Sequence, residues 1–159
     1  MIFVTLGTFP VPFTRPLKEL EDLCRKKIID EKIVVQSGHT EFVSEFMEVS
    51  PFMPPDKINE LTKAASLIIT HAGTGSLIKA VRLKKKVIAI PRLYKLGENV
   101  DDHQLDILEI FTEKGYVLPW HEDDKLERLL NDLKSFQPNE YVSKKQVIID
   151  YLENYINSL

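Results

Sequence analysis

Short runs of apolar, often β-branched residues alternate along the chain with segments whose apolar positions recur every three to four residues. A continuous apolar run predicts a strand covered on both faces of a sheet, and the longer period predicts a helix with one buried face. The predicted strands are IFVTL at 2–6, KIVVQS at 32–37, SLIIT at 66–70, KVIAIP at 86–91 and YVLPW at 116–120. The predicted helices begin near Thr14 and then cover about 54–65, 74–84, 102–114, 123–135 and 140–158.

The repeated strand–helix order predicts a parallel sheet with right-handed crossovers, that is, a Rossmann-like, doubly wound α/β fold. The 159 residues suit a single domain over 1–159, with no linker or internal repeat. Residues 41–53 fit a short helix followed by a strand. The last helix carries an apolar stripe, which we expect to pack on its own domain, with a docking surface for another chain as the alternative. The stripe consists of Val142, Ile148, Ile149, Leu152, Tyr155, Ile156 and Leu159.

Composition and charge argue against several classes of protein. The net charge of -3 and the pI near 5.8 give no basic footprint for nucleic acid. The single cysteine, Cys24, excludes an internal disulfide and is expected to pack in a helix. Because no apolar run approaches the length of a membrane span and the N-terminus lacks the pattern of a signal peptide, we expect a soluble intracellular protein.

Candidate chemistry concentrates in the loops that follow the predicted strands, where open α/β sheets bind ligands. These loops are 7–13, 38–40, 71–76 and 92–101. The loop 71–76, HAGTGS, combines two glycines with the start of a helix, and Thr74 and Ser76 add hydroxyl donors. Glycines allow close approach of an anion, and a helix N-terminus offers unpaired N–H groups, so the loop predicts a phosphate site. The alternative is a tight turn in which Thr74 caps the helix.

The same loop excludes some nucleotide sites. It lacks the G-x-x-x-x-G-K-[ST] pattern of the ATP and GTP phosphate loop. The dinucleotide fingerprint needs a Gly or Ala where Ile78 stands. An NADP-dependent oxidoreductase remains an alternative, with Arg92 contacting the 2′-phosphate.

A second candidate region is GENVDDHQ at 97–104. Asp102 is a suitable N-cap, which places His103 and Gln104 in the first turn of a helix, and Glu98 offers a carboxylate to ribose hydroxyls. The alternative is a capped helix start without a ligand. The sequence contains no Asp-x-Asp pair and no His/Cys cluster with zinc spacing, so we expect no metal.

Four segments together resemble the glycosyltransferase family 28 C-terminal domain: MIFVTLGT, VVQSGH, IITHAGTGSLIKAVRLKKKVIAIPR and DDHQLDILE. The resemblance covers roughly residues 1–120. It is strongest to single-domain members, which include the catalytic subunit of the eukaryotic enzyme that adds the second N-acetylglucosamine to a dolichol-linked sugar. They also include bacterial exopolysaccharide and capsule transferase subunits, to which the long loop PRLYKLGENVDDHQ is similar.

The resemblance implies the donor-binding, C-terminal half of a GT-B glycosyltransferase. The chain would be one UDP-sugar-binding domain and the catalytic subunit of a two-component inverting enzyme that needs no metal or other cofactor. Galactose, glucuronic acid or N-acetylglucosamine would pass to a polyprenyl-diphosphate-linked saccharide. A separate membrane-associated subunit would bind the acceptor and hold this chain at the cytoplasmic face of the membrane. A non-catalytic nucleotide-binding module is a further alternative.

The resemblance also implies roles for individual residues. Donor-binding positions would be Gly7, Thr8, His71, Gly73, Thr74, Gly75 and Ser76, together with the family's HQ pair at His103 and Gln104. The glutamate that binds the ribose in two-domain relatives is replaced here by Lys79, with Glu98 as a substitute candidate. His71 is the candidate catalytic base, and the alternative is a base supplied by the partner.

Overall fold

The computed structural model describes residues 1–143 and 145–158 as six strands and six helices joined by short connections. The strands are β1 (Ile2–Thr5), β2 (Ile33–Gln36), β3 (Met47–Ser50), β4 (Leu67–His71), β5 (Lys86–Ile90) and β6 (Leu118–Pro119). The helices are α1 (Arg15–Arg25), α2 (Pro55–Ala64), α3 (Thr74–Arg82), α4 (His103–Glu113), α5 (Leu126–Ser135) and α6 (Lys145–Asn157). A 3-10 turn, Tyr94–Leu96, follows β5.

The six strands form one parallel sheet in the order β3-β2-β1-β4-β5-β6. The order reverses direction between β1 and β4, which places a crevice between their carboxyl ends. All four residues of β1 and of β2 are buried, as expected for strands covered on both faces. The predicted Rossmann-like, doubly wound α/β fold is therefore confirmed.

Alternate residues of each strand serve two separate cores. Ile2 and Val4 face the core that contains α1 and α5, where Trp120 is also buried. Phe3 and Ile68 face the opposite core, formed with α2, α3 and α4. Because each face of the sheet is covered by its own helices, both cores are closed within 1–135 apart from peripheral contacts such as that of Tyr141.

Segment 41–53 differs from its prediction. Residues 41–46 form no helix, and only the strand β3 follows. The Ser44 hydroxyl accepts the backbone N–H groups of Phe46 and Met47, at 3.0 and 2.9 Å. A side-chain acceptor of this kind competes with helical hydrogen bonds, which explains the irregular path into β3.

The C-terminal helix α6 also differs from its prediction. None of its residues is buried, so the expectation that its apolar stripe packs on the domain is wrong. The physical reason is that α1 to α5 already cover both faces of the sheet. Leu159 of the stripe and Lys144 of the predicted helix lie outside the described residues. No helix within the described residues is long and apolar enough to cross a bilayer.

Candidate functional site

A cleft of about 320 Å³ opens at the carboxyl edge of the sheet, between the ends of β1, β2 and β4 and the helices α2 and α3. It brings together Gly7, Thr8, His71, Gly73, Thr74, Gly75 and Ser76 from the sequence prediction. The rest of its wall consists of Phe3, Thr5, Gln36, Ile58, Thr62, Ile68, Lys79 and Ala80. The two glycine-containing loops that the sequence places apart are therefore neighbours across one cleft.

The first turn of α3 presents its backbone N–H groups without a cap. The helix begins at Thr74, its N-cap is Gly73, and no side chain accepts a capping hydrogen bond. The hydrogen bond from Leu77 N–H to the Gly73 carbonyl, 3.1 Å long, closes the first turn. Among the described residues, the N–H groups of 74–76 have no partner. The alternative in which Thr74 caps the helix is wrong, and the free N–H groups suit an anion.

The His71 imidazole is clamped between two glycines. A Cβ atom on Gly7 would lie 2.8 Å from the ring, and one on Gly73 would come closer still. Gly7 also has a φ of 77°, which a side chain would oppose. A side chain at either position would therefore displace the histidine ring, so both glycines are needed for the ring to lie where it does.

His71 is held in its neutral form. Its Nδ1 lies 3.4 Å from the Thr5 carbonyl oxygen, which only accepts, so Nδ1 carries the proton and Nε2 keeps its lone pair. Burial lowers the pKa of His71 below its ordinary value, the Thr5 carbonyl opposes this in part, and the positive charge of Arg92 lowers it further. A neutral imidazole in this position can accept a proton or a hydrogen bond.

Two residues that sequence reasoning did not select also line the cleft. Gln36, at the end of β2, is 5% exposed, and its Oε1 has no hydrogen-bond partner among the described residues. Its signal was its place near the end of a predicted strand, two residues before the selected loop 38–40. Lys79 lies on α3, and no carboxylate appears among the lining residues. The cleft therefore offers N–H donors, the unpaired acceptor of Gln36 and the cationic side chain of Lys79.

The region after β5 has a different character, centred on Arg92. Its side chain is 1% exposed and donates to three carbonyl oxygens: Leu6 at 3.0 Å, Val11 at 2.7 Å and Glu98 at 3.1 Å. The guanidinium also lies 4.7 Å from the Phe13 ring centroid. Burial lowers the pKa of Arg92 to about 10, and Glu98 opposes this. A side chain so enclosed is not placed to bind a 2′-phosphate, so that expectation is wrong.

Glu98 and Gln104 lie in the same interior network. The Glu98 carboxylate binds the Arg15 guanidinium through two hydrogen bonds, of 3.1 and 3.0 Å, and accepts the Leu93 N–H at 3.1 Å. The Oε1 of Gln104 accepts the Arg92 N–H at 3.0 Å. Neither residue lines the cleft, and both are buried. Their predicted contacts to the donor stay predictions.

His103 is exposed and also lies outside the cleft lining, where its Nδ1 pairs with the Asp101 carboxylate. That hydrogen bond lowers the pKa of Asp101. Asp102 occupies the N-cap position of α4 but makes no capping bond; its carboxylate accepts the Tyr94 N–H at 2.9 Å. The expected cap is thus replaced by a bond that closes the loop.

The structure shows no candidate metal site among the residues that it describes. Within residues 1–143 and 145–158, no three His, Cys, Asp or Glu side chains form a group that could hold an ion. The expectation that the chain works without a metal stays a prediction.

Comparison with known proteins connects these features to one family. The model of the glycosyltransferase family 28 C-terminal domain matches residues 1–156. The UDP-N-acetylglucosamine transferase subunit ALG13 of Candida albicans is 33% identical over 91 residues, which cover 57% of this chain and 29% of that protein. The chain thus spans less than a third of the length of this curated relative.

Solved structures agree on the fold. The solution structure of ALG13 superimposes with a TM-score of 0.59 at 20% identity and covers 89% of each chain. The crystal structure of Acinetobacter baumannii MurG gives a TM-score of 0.58 at 18% identity, over 84% of this chain and 40% of that one. The matched part of the larger structure is a single Rossmann-like unit of the kind described above.

Proposed function

The chain belongs to the glycosyltransferase family 28 C-terminal domain, and from that premise we propose that it is the donor-binding catalytic subunit of a two-component glycosyltransferase. It transfers a sugar from a UDP-sugar to a polyprenyl-diphosphate-linked saccharide during exopolysaccharide or capsule assembly. Galactose, glucuronic acid and N-acetylglucosamine are the candidate sugars. The fold corresponds to the C-terminal, donor-binding half of a GT-B enzyme.

The observation that carries this proposal is the uncapped first turn of α3, opening on a cleft whose lining contains no carboxylate. A Cβ atom built on Gly75 would meet nothing within 4 Å, so open space adjoins these N–H groups. The diphosphate of a UDP-sugar fits this setting, because helix N-termini favour anions. When the sugar leaves, negative charge grows on UDP, and fixed N–H groups stabilise it in the transition state.

His71 is the proposed base. In an inverting transfer, the acceptor oxygen forms a bond to the anomeric carbon while the bond from that carbon to the diphosphate oxygen breaks. The acceptor proton passes to the Nε2 of His71, which is free to accept it because Nδ1–H faces the Thr5 carbonyl. A base on the partner subunit is the alternative.

A partner that binds the acceptor is supported by exposed apolar side chains at the same edge of the sheet. They lie in the loops after β3 and β5 and comprise Phe52, Tyr94, Leu96 and Val100. Apolar groups gathered at one edge favour protein or membrane contact. The proposed partner is membrane-associated and holds this chain at the cytoplasmic face.

Thermal unfolding with a ligand panel tests the proposal. The panel contains UDP, UDP-galactose, UDP-glucuronate and UDP-N-acetylglucosamine, with NADP and ADP as controls. A ligand at 100 times its dissociation constant adds about 2.7 kcal/mol to the stability, which raises the midpoint by roughly 5–10 °C for a chain of this size. We expect a shift with UDP and with one UDP-sugar, and none with NADP or ADP.

Other outcomes separate the alternatives. A shift with NADP alone would overturn the glycosyltransferase proposal. UDP binding without release of UDP from any UDP-sugar, even with membranes of the source cells added as acceptor and partner, would favour a non-catalytic nucleotide-binding module. The variant Lys84→Gln is the matched surface control, because Lys84 pairs with Glu140 away from the cleft and should leave every shift unchanged.

A further inference from the structure

We propose that Lys79 binds the diphosphate of the donor and supplies the positive charge of this site. The inference rests on the proposed function and adds to it a specific ligand contact. It assigns a role in phosphate binding to a side chain that lines the cleft.

The position of Lys79 on α3 places it close to the first turn of that helix. Lys79 lies four residues after Gly75 and three after Ser76, so it shares a face of α3 with the uncapped first turn. Long side chains in a helix extend toward its N-terminus and cover the preceding turn. The four-carbon stem of Lys79 therefore directs its ammonium group toward the N–H groups of 74–76.

The charges of the side chains that line the cleft also favour a phosphate contact for Lys79. The lining residues include no Asp or Glu, and the lowered pKa of His71 leaves that ring neutral at neutral pH. Lys79 makes no ion pair with any described residue, whereas Lys32, Lys57 and Lys84 each pair with a surface glutamate. A diphosphate brings negative charge on each phosphate into this cleft, and Lys79 is the cationic side chain positioned to meet it.

Two further features indicate that the cleft is shaped for a ligand. The buried Oε1 of Gln36 has no partner among the described residues, and a buried acceptor of this kind is costly unless a donor reaches it. The empty space at Gly75 adjoins the first turn of α3. A nucleoside with an N–H group directed to Gln36 and a diphosphate at α3 would satisfy both ends of the cleft.

The competing role for Lys79 is a contact to the ribose hydroxyls. The two roles differ in which part of the ligand they affect, so uridine and UDP distinguish them. Uridine carries the ribose without phosphate, and UDP carries both.

The experiment measures dissociation constants of UDP and uridine, by calorimetry and by NMR titration, for the wild type and for Lys79→Gln, Lys79→Arg and Lys84→Gln. Lys79→Gln should weaken UDP by about 10- to 100-fold, the effect of losing a hydrogen bond to a charged group, and change uridine by less than about twofold. Lys79→Arg should keep most of the UDP affinity. Lys84→Gln, which changes the net charge by the same amount, should bind both ligands as the wild type does.

Equal weakening of UDP and uridine by Lys79→Gln would overturn the inference in favour of a ribose contact. An unchanged UDP affinity would overturn it as well, while leaving the proposed function intact. If the wild-type chain bound neither ligand, the proposed function would itself fail, and this inference with it.

Discussion

The cleft at the first turn of α3 and the network around Arg92 lie at the same edge of the sheet, and the sequence marks both with charged or hydrogen-bonding residues. In the cleft, the N–H groups of 74–76 and the Oε1 of Gln36 have no partner among the described residues. In the network, the side chains of Glu98 and Gln104 are bonded to protein groups, and Arg92 makes three hydrogen bonds while its buried Nε has no partner among the described residues. Unused hydrogen-bonding capacity is what a ligand site needs, and satisfied capacity is typical of a scaffold.

The two regions are nevertheless connected. Arg92 donates to the carbonyls of Leu6 and Val11, which lie on either side of Gly7 and Thr8 in the loop after β1. The network therefore fixes the loop that forms one wall of the cleft. A scaffold whose side chains make many hydrogen bonds to the protein holds the neighbouring binding groups in place before a ligand arrives, which reduces the cost of binding.

The substitution with the largest expected effect is Arg92→Met, which removes the centre of the network. It leaves the three carbonyl acceptors without their donor, so we expect a loss of about 3 kcal/mol or more in the free energy of unfolding, measured by urea denaturation. Lys79→Gln, in the cleft, should change the same quantity by no more than about 0.5 kcal/mol, as expected of a side chain without a protein partner. Equal stability of the two variants would contradict the division into scaffold and site.

The fold was predictable where the signal is local. Five of the strands were predicted from apolar runs, and in four of them, β1, β2, β4 and β5, nearly every residue is buried, as strands covered on both faces require. The strand β3, MEVS, is short and partly exposed, and residues 41–46 turn around the Ser44 hydroxyl, so neither gave a clear period. The exposure of α6 could not be read from its stripe, because amphipathic spacing does not identify the surface that it meets.

The candidate site was predictable in part, for the same reason. The glycine loop is contiguous in sequence, and the sheet brings its residues into the cleft with Gly7 and Thr8. The interior position of Glu98 depends on Arg15, which is 83 residues away, and no local pattern reveals such a pair. The place of Gln36 in the site could not be predicted, because the sequence does not show which groups surround a polar residue at a strand end.

A smaller effect is expected from a pair of glycine variants that separates packing from ligand space. Gly73→Ala places a methyl group against the His71 ring, so we expect a loss of about 1–3 kcal/mol in stability together with weaker UDP binding. Gly75→Ala places a methyl group in open space, so stability should stay within about 1 kcal/mol while UDP binding weakens. Urea denaturation and UDP calorimetry measure both quantities. Normal UDP affinity in Gly75→Ala would mean that the space beside α3 is not used by the ligand.

The smallest expected effect is a pH dependence at His71, where the two regions meet. The pKa of His71 in the folded chain is lowered by burial and by Arg92, whereas in the unfolded chain it stays near its ordinary value of about 6.5. Between these two values the unfolded state binds more protons. The stability contributed by neutral His71 is therefore complete above about pH 6.5 and is lost as the pH falls through the folded-state pKa.

The comparison of wild type with His71→Gln between about pH 7.5 and 5.5 isolates this contribution, because all other groups titrate in both chains. The wild type should lose more stability on acidification, with an excess slope of at most about 1.4 kcal/mol per pH unit. Parallel curves would show that His71 is not held neutral by its surroundings. Such a result would remove the support for His71 as a base, because a base must be unprotonated when the acceptor arrives.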